Sequence, residues 1–318
     1  MTASTLNVCV LGGTGFVGTE LAARLVRDGH NVLVPTRRLA NGNHLRVLPT
    51  LQLAAANIHN IQVLGQLFSG IDVVVNLVGI LNEHGRSTFR SVHTELATKV
   101  VEAMRAQRVP RLLHMSSLAA GAQAPSQYLR SKGEAEAQVR VGAATVDSTL
   151  FRPSVIFGPR DSLTNRFAGL LKMSRGFIPL ARAGARFAPI YVDDVVEAFM
   201  RALRDRATVG KSLELCGPDV LTLEQIVRLT ARAAGLPCHI LPLPDFVAAT
   251  QGLLMGMLPG KPFSSDNYRS LTVDSVCKQN GCAALGLQPA RMEAVVPGYL
   301  SDHSWSSQLD LYRRLASR

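Results

Sequence analysis

The 318-residue chain has no long hydrophobic run. Its longest apolar stretches are about half of the ~20 residues that a membrane-spanning helix requires, so no transmembrane helix is expected. The opening Met1-Thr2-Ala3-Ser4-Thr5 carries no basic region ahead of a hydrophobic one, which argues against a secretory signal peptide. Aromatic residues are scarce, at 5%, and no nucleic-acid motif is present, so nucleic acid is a poor fit as a partner even at a net charge of +11. The five cysteines (Cys9, Cys216, Cys238, Cys277 and Cys282) show no metal-ligand spacing. No metal is expected, and the thiols read as reduced and mostly structural in a cytosolic setting. There is no internal repeat, no low-complexity segment and no run of five like charges. Dispersed arginines on a basic surface suit an acidic cofactor, an anionic membrane face or a negatively charged partner. The expectation is a cytoplasmic protein able to sit peripherally at the inner face of a membrane.

What is present begins almost at once. Val8-Cys9-Val10-Leu11 runs into Gly12-Gly13-Thr14-Gly15-Phe16-Val17-Gly18 and then into apolar residues at helical spacing, Val17, Leu21 and Leu25. This reads as strand, tight turn and helix. Gly12 permits the turn, Gly15 lets backbone approach a pyrophosphate, and Gly18 lets helix pack on strand. The helix N-terminus aims N–H groups and a positive dipole end at the phosphates. Gly12, Thr14, Gly15, Phe16, Val17 and Gly18 are therefore candidate dinucleotide contacts.

Asn31–Thr36 reads as a second strand, and Arg37-Arg38 stands directly after it. Where a dinucleotide fold carries Asp or Glu to bind ribose hydroxyls, this chain offers two guanidiniums able to grip a 2′-phosphate. NADP(H) is expected over NAD(H). Further strands are expected over 51–57, 71–79 and 111–115, with helices over 60–68 and 88–107. Leu77, Val78 and Gly79, at the carboxyl end of a buried strand, are expected beside the cofactor. Strands alternating with helices imply an α/β fold, a Rossmann-like doubly wound parallel sheet.

A second constellation is Tyr128-Leu129-Arg130-Ser131-Lys132. In a helix, positions four apart share a face, so Lys132 is expected to favour the Tyr128 phenolate and to reach ribose hydroxyls. Ser116 and Ser117, closing the strand at 111–115, offer a hydroxyl to hold a carbonyl against the phenol. Tyr128, Lys132 and Ser117 form the candidate catalytic set.

Together these motifs resemble the short-chain dehydrogenase/reductase superfamily in its extended form, over most of the chain. The resemblance implies that Phe151–Pro159 passes the nicotinamide, bringing Pro153, Ser154 and Val155 to the cofactor. It also implies that the substrate lobe rejoins the sheet at Ala188–Val195. The resulting division is a nucleotide-binding domain over 1–160, with 188–220 rejoining its sheet, and a smaller C-terminal lobe from 161–187 and 221–318. Asn76–Leu81, Val92-His93, Tyr128–Lys132 and Pro259–Tyr268 resemble a narrower, atypical group, which includes the nucleotide-binding accessory subunit of mitochondrial complex I and its bacterial relatives. That likeness implies tight NADP(H) binding and association with the quinone-linked respiratory chain. Related atypical proteins are linked to ubiquinone biosynthesis.

The departures from the superfamily pattern are specific. His93 stands where an active member usually has Asn, and reads either as a titrating group or as a core histidine. Asn57 replaces the usual Asp at the adenine contact. Leu118-Ala119-Ala120-Gly121 stands in place of an aromatic-Gly motif, which keeps Ser116 as an alternative to Ser117. Two further features stay open. The segment 245–258 is apolar enough to meet membrane, partner or core, and Asp193-Asp194 reads as a helix cap. Three functions are compatible with these residues: a coenzyme-binding module in a respiratory assembly, an NADP-dependent oxidoreductase on a carbonyl or quinone, and a nucleotide-sugar epimerase or dehydratase.

Overall fold

The structure, a computed structural model, describes residues 5–243 and 264–301. The apolar stretch at 245–258, residues 259–263 of the long motif, and the tail with Trp305 and Arg313-Arg314 lie outside the described residues. The chain divides into two units. One comprises Met1–Pro153, Val195–Leu215 and Gln279–Leu287; the other comprises Ser154–Asp194, Cys216–Lys278 and Gln288–Arg318.

The first unit is built on a seven-stranded parallel sheet. Its strands are β1 (Asn7–Leu11), β2 (Asn31–Thr36), β3 (Leu51–Ala55), β4 (Val73–Asn76), β5 (Arg111–Met115), β6 (Asp147–Pro153) and Ser212–Leu215. Their spatial order is Ser212–Leu215, β6, β5, β4, β1, β2, β3. The order reverses between β1 and β4, and in open parallel sheets that switch point opens a ligand crevice at the carboxyl ends of the strands. The central strands are almost wholly apolar and buried, because helices cover both faces of the sheet. On one face Leu64 and Phe68 of α2 (Ile61–Phe68), Leu96–Met104 of α3 (Leu96–Gln107), and Ala135 and Val139 of α4 (Gln127–Val141) pack on Cys9, Leu11, Val74, Leu112 and Leu150. On the other, Phe199 of α6 (Val192–Arg204) stacks on Phe151 with ring centroids 3.9 Å apart.

Two elements differ from the sequence reading, each for a local reason. The strand expected over 71–79 ends at Asn76, whose side-chain oxygen accepts the Val78 N–H at 3.2 Å and turns the chain away. The helix expected from 88 begins as a π-helical turn at Arg90–Glu95 before α3. Such turns recur at functional sites.

Among its described residues the second unit has no large sheet. Three two-stranded ladders pair Ile156–Phe157 with Ile190–Tyr191, Arg186–Phe187 with Leu221–Thr222, and Phe177–Ala181 with His239–Leu243. The helices α5 (Thr164–Met173) and α7 (Leu223–Ala233) frame two small apolar clusters. Asp193 and Asp194 lie inside the first turn of α6 rather than at its cap; Asp194 accepts the Ala290 N–H at 2.8 Å.

The expectation of reduced thiols is overturned here: Cys216 and Cys277 form a disulfide, with Cα atoms 6.0 Å apart. Their 61-residue separation in sequence held no spacing signal, and only the fold brings them together. Cys9, Cys238 and Cys282 take no part in a disulfide, and burial in β1 pushes the Cys9 thiol up to about 12, which leaves it inert.

Candidate functional site

The glycine turn bears out the physical logic of its spacing. Gly12 has φ +81°, and a Cβ there would lie 3.2 Å from the backbone of Leu77 and Val78, so the turn after β1 and the turn after β4 meet at the switch point. A Cβ on Gly18 would lie 2.2 Å from the Gly12 carbonyl oxygen, which is why the first turn of α1 (Phe16–Arg27) can rest on the loop. Gly15 is exposed and is the N-cap of α1, with no side-chain cap and no acidic residue in the first turn. The first N–H groups of that helix therefore have no intrahelical acceptor, and the positive end of its dipole is unopposed. This cradle fits a pyrophosphate.

At the end of β2, Thr36 Oγ1 donates to the Arg38 carbonyl at 3.1 Å, and both Arg37 and Arg38 are exposed. Strands β2 and β3 run in register to Thr36 and Ala55, so Arg37 and Asn57 leave the sheet side by side. Asn57 is exposed, with its side-chain oxygen accepting the His59 N–H at 3.1 Å.

The second half of the crevice is buried. Ser126 caps α4 by accepting the Leu129 N–H, and α4 then carries Tyr128, Ser131 and Lys132. The Ser117 hydroxyl donates to the Leu118 carbonyl at 3.3 Å; the Ser116 hydroxyl, by contrast, is buried and has no partner among the described residues. Burial raises the Tyr128 pKa, and Ser117 beside the phenol partly offsets it. Lys132 does not act on the phenol as the sequence suggested. Its ammonium donates to the Met115 carbonyl at 3.2 Å, and burial, eased by Glu136, brings it down to about 8. A Cβ on Gly79 would sit 3.1 Å from Lys132 Nζ, so the β4 turn passes close to the lysine.

His93 is committed on both ring nitrogens. Nε2 accepts the Ile80 N–H at 3.1 Å, which fixes the proton on Nδ1, and Nδ1 donates to Ser131 Oγ at 2.8 Å. Ser131 in turn donates to the Tyr128 carbonyl at 2.8 Å. The chain of bonds ties the β4 turn to α4, with Phe89, His93 and Tyr128 in mutual ring contact at 5.7–6.0 Å. Burial, with the Lys132 and His114 charges adding to it, lowers His93 to about 2. Of the two readings of this residue, titrating group and core histidine, the geometry is that of the second.

Sequence reasoning missed His114, a buried β5 residue whose Nδ1 lies 3.2 Å from Asn76 Nδ2 and whose Nε2 has no partner among the described residues. Nothing in its flanking residues sets it apart from a core position. Pro153 ends β6 and its carbonyl accepts the Leu118 N–H at 2.9 Å, which holds the turn after Ser117. Ser154 and Val155 belong to the second unit, where Ser154 donates to the Ser275 carbonyl at 2.6 Å and the Val155 carbonyl accepts the Ile190 N–H at 3.0 Å. Among the described residues no helix is long and apolar enough to cross a membrane, and no group of three or more His, Cys, Asp or Glu side chains is placed to hold a metal ion.

Residues 8–216 match the NAD dependent epimerase/dehydratase family. The chain is 30% identical to the mitochondrial NADH dehydrogenase [ubiquinone] 1 alpha subcomplex subunit 9 of Mus musculus, over 89% of this chain and 77% of that one. It is 28% identical to a ceramide reductase of Caulobacter vibrioides, over 78% and 77%. Among solved structures, the UDP-glucuronic acid 4-epimerase of Bacillus cereus, in complex with UDP-glucuronic acid and NAD, superimposes with a TM-score of 0.65 at 17% identity, over 84% of this chain and 99% of that one. At that identity the likeness is one of fold. The chain belongs to the NAD dependent epimerase/dehydratase family, as an atypical extended short-chain dehydrogenase/reductase related to complex I subunits.

Proposed function

We propose that the protein binds NADP(H) and reduces a carbonyl- or quinone-type substrate at the Ser117, Tyr128 and Lys132 site. The observation that carries this reading is that α4 brings Lys132 to the Met115 carbonyl at the carboxyl end of β5, beside Gly79, with Ser117 next to the Tyr128 phenol. The α1 N-terminus with Gly12 and Gly15 would hold the pyrophosphate, Arg37 and Arg38 the 2′-phosphate, Asn57 the adenine, and Lys132 beside Gly79 the nicotinamide ribose. When bound, the coenzyme supplies hydride from the nicotinamide ring. The protein's own part is proton transfer. Ser117 holds the substrate oxygen, and Tyr128, kept protonated at neutral pH by its raised pKa, delivers a proton from its phenol oxygen to that atom. A protonated phenol suits the reductive direction.

Purified protein given NADPH with carbonyl or quinone substrates is expected to oxidise the coenzyme. Tyr128→Phe is expected to abolish that turnover and leave coenzyme affinity within about twofold of wild type. Turnover by Tyr128→Phe at the wild-type rate overturns the assignment.

A second reading is favoured by the double commitment of His93 and by the complex I relative. Here the coenzyme is a structural ligand in a protein that docks peripherally on a respiratory assembly at the cytoplasmic membrane face. It predicts NADPH that co-purifies, is consumed by no substrate, and raises thermal stability by ligand linkage.

A further inference from the structure

Beyond the carboxyl ends of β2 and β3, the chain gathers more positive charge than the Arg37-Arg38 pair. Lys99, on α3, extends its ammonium to the His59 carbonyl at 2.9 Å, across 40 residues of sequence. His59 lies two residues past Asn57 in the turn between β3 and α2, and both His59 and Lys99 are half-buried. The Ala56 N–H donates to the Thr36 carbonyl at 2.9 Å, which fixes the start of this turn against the residue that precedes Arg37. Three segments thus deliver basic residues to one corner of the crevice: the turn after β2 delivers Arg37 and Arg38, the β3–α2 turn delivers His59, and α3 delivers Lys99. The charges that face His59 are Arg37 from the turn after β2, Lys99 from α3, and Glu95 from the π-helical turn ahead of α3. Glu95 is exposed and is taken by Arg90 at 3.1 Å, so it does little to balance the corner. Burial and the two neighbouring cations lower the His59 pKa. Like charges brought together on a folded surface oppose the fold, and an anion among them relieves that repulsion.

We infer that His59 and Lys99 complete the 2′-phosphate site, making it a four-residue cationic corner with Arg37 and Arg38. This inference rests on the reading of the protein as an NADP(H) binder. Lys99 spends one N–H on the His59 carbonyl and keeps two for phosphate oxygens. Neutral in the free protein, His59 gains a proton when a phosphate dianion arrives, because an opposite charge favours the imidazolium. The site therefore takes up a proton with NADPH and none with NADH. NADPH affinity rises as pH falls toward the ordinary histidine range, while NADH affinity stays flat.

Dissociation constants for NADPH and NADH, measured on the full chain from pH 8 to pH 6.5, test this. That window lies above the second ionisation of a phosphate monoester, at about 6. Lys99→Met is expected to weaken NADPH about tenfold and NADH less than about twofold, the loss of one charge-assisted bond. Lys99→Arg is expected to keep most of the preference. His59→Gln is expected to flatten the pH dependence for NADPH. A wild-type preference for NADPH that survives unchanged in Lys99→Met and His59→Gln overturns this inference alone. Equal weakening of both coenzymes by Lys99→Met also overturns it, since that marks a purely structural role. Equal wild-type affinity for NADPH and NADH overturns the inference and the coenzyme choice together.

Discussion

The two units of the chain are held together by different means. In the first, a parallel sheet buries strands such as Val8–Leu11 and Val73–Asn76 between helices, and glycine contacts set the spacing of its loops. In the second, the ladders are two to five residues long, the apolar clusters are small, and the frame is tied by a disulfide, by Asp161 and by an ion pair. Asp161 alone accepts N–H groups from Gly158, Leu163 and Thr164, and its carboxylate also receives the Thr164 and Tyr299 hydroxyls. The difference teaches where each unit is vulnerable. Steric intrusion breaks the first, and loss of single ties loosens the second.

The largest effect is expected at Gly18. A methyl group 2.2 Å from the Gly12 carbonyl oxygen has only backbone to push against, so Gly18→Ala must part α1 from its loop. A loss of at least about 4 kcal/mol is expected, of the size seen when packing has no room to relax, and dinucleotide binding should vanish with it. Gly13→Ala sharpens the point. Its Cβ meets the Val34 side chain at 2.8 Å and the Val10 carbonyl oxygen at 3.0 Å, looser contacts than those at Gly18, so denaturant midpoints should fall less. In the second unit, Cys216→Ser with Cys277→Ser removes the cross-link over a 61-residue separation. The chain-entropy relation puts the loss at about 4 kcal/mol. Titration of the denatured protein without reductant should find three thiols, and five would refute the tie.

Next in size is an acid sensitivity confined to the first unit. His93 and His114 are buried at 2% and 3% exposure and lowered to about 2 and about 3. Their folded values lie below the unfolded one, so the unfolded chain binds more protons. The stability they confer is whole above about 6.5 and drains as pH falls toward 3. Each contributes a slope of about 1.4 kcal/mol per pH unit, so the pair approaches 3 kcal/mol over one unit. His114→Gln should take about 1.4 kcal/mol per pH unit off the slope between pH 6 and 5 in urea titrations; an unchanged slope would show that other groups carry it.

The contrast between units also explains what was legible in the sequence. The sheet and the glycine turn were, because Gly15 and Gly18 pack on Gly12 within six residues and the buried strands are continuous apolar runs. Tyr128 and Lys132 were legible as a pair because one helical turn separates them. Their energetics were not: Lys132 answers to the Met115 carbonyl, a contact 17 residues away that no local pattern encodes. His93 stayed open between two readings for the same reason, its partners Ile80 and Ser131 lying 13 and 38 residues off. The second unit was the least readable, since Cys216 and Cys277 are ordinary residues until the fold joins them.

The smallest effect tests whether every tie in the second unit matters equally. Arg186 donates to Asp274 through Nε at 3.0 Å and Nη2 at 2.7 Å, while Asp274 Oδ1 accepts the Arg186 N–H at 3.2 Å. Both guanidinium donors reach the same carboxylate oxygen, Oδ2, and both side chains are largely exposed, so water competes for each charge. Exposed pairs of this kind are worth about 0.2–1 kcal/mol. The same segment is held twice more, by the Ser275 carbonyl accepting from Ser154 and Ala188, and by the disulfide at Cys277. Arg186→Gln should therefore barely move the denaturant midpoint in the wild-type background. In the Cys216→Ser/Cys277→Ser background the same substitution should be felt more strongly, because the ion pair then holds the segment with fewer helpers. A double-mutant cycle with no coupling would show that the ties act independently, and that the second unit is not a frame of mutually supporting links.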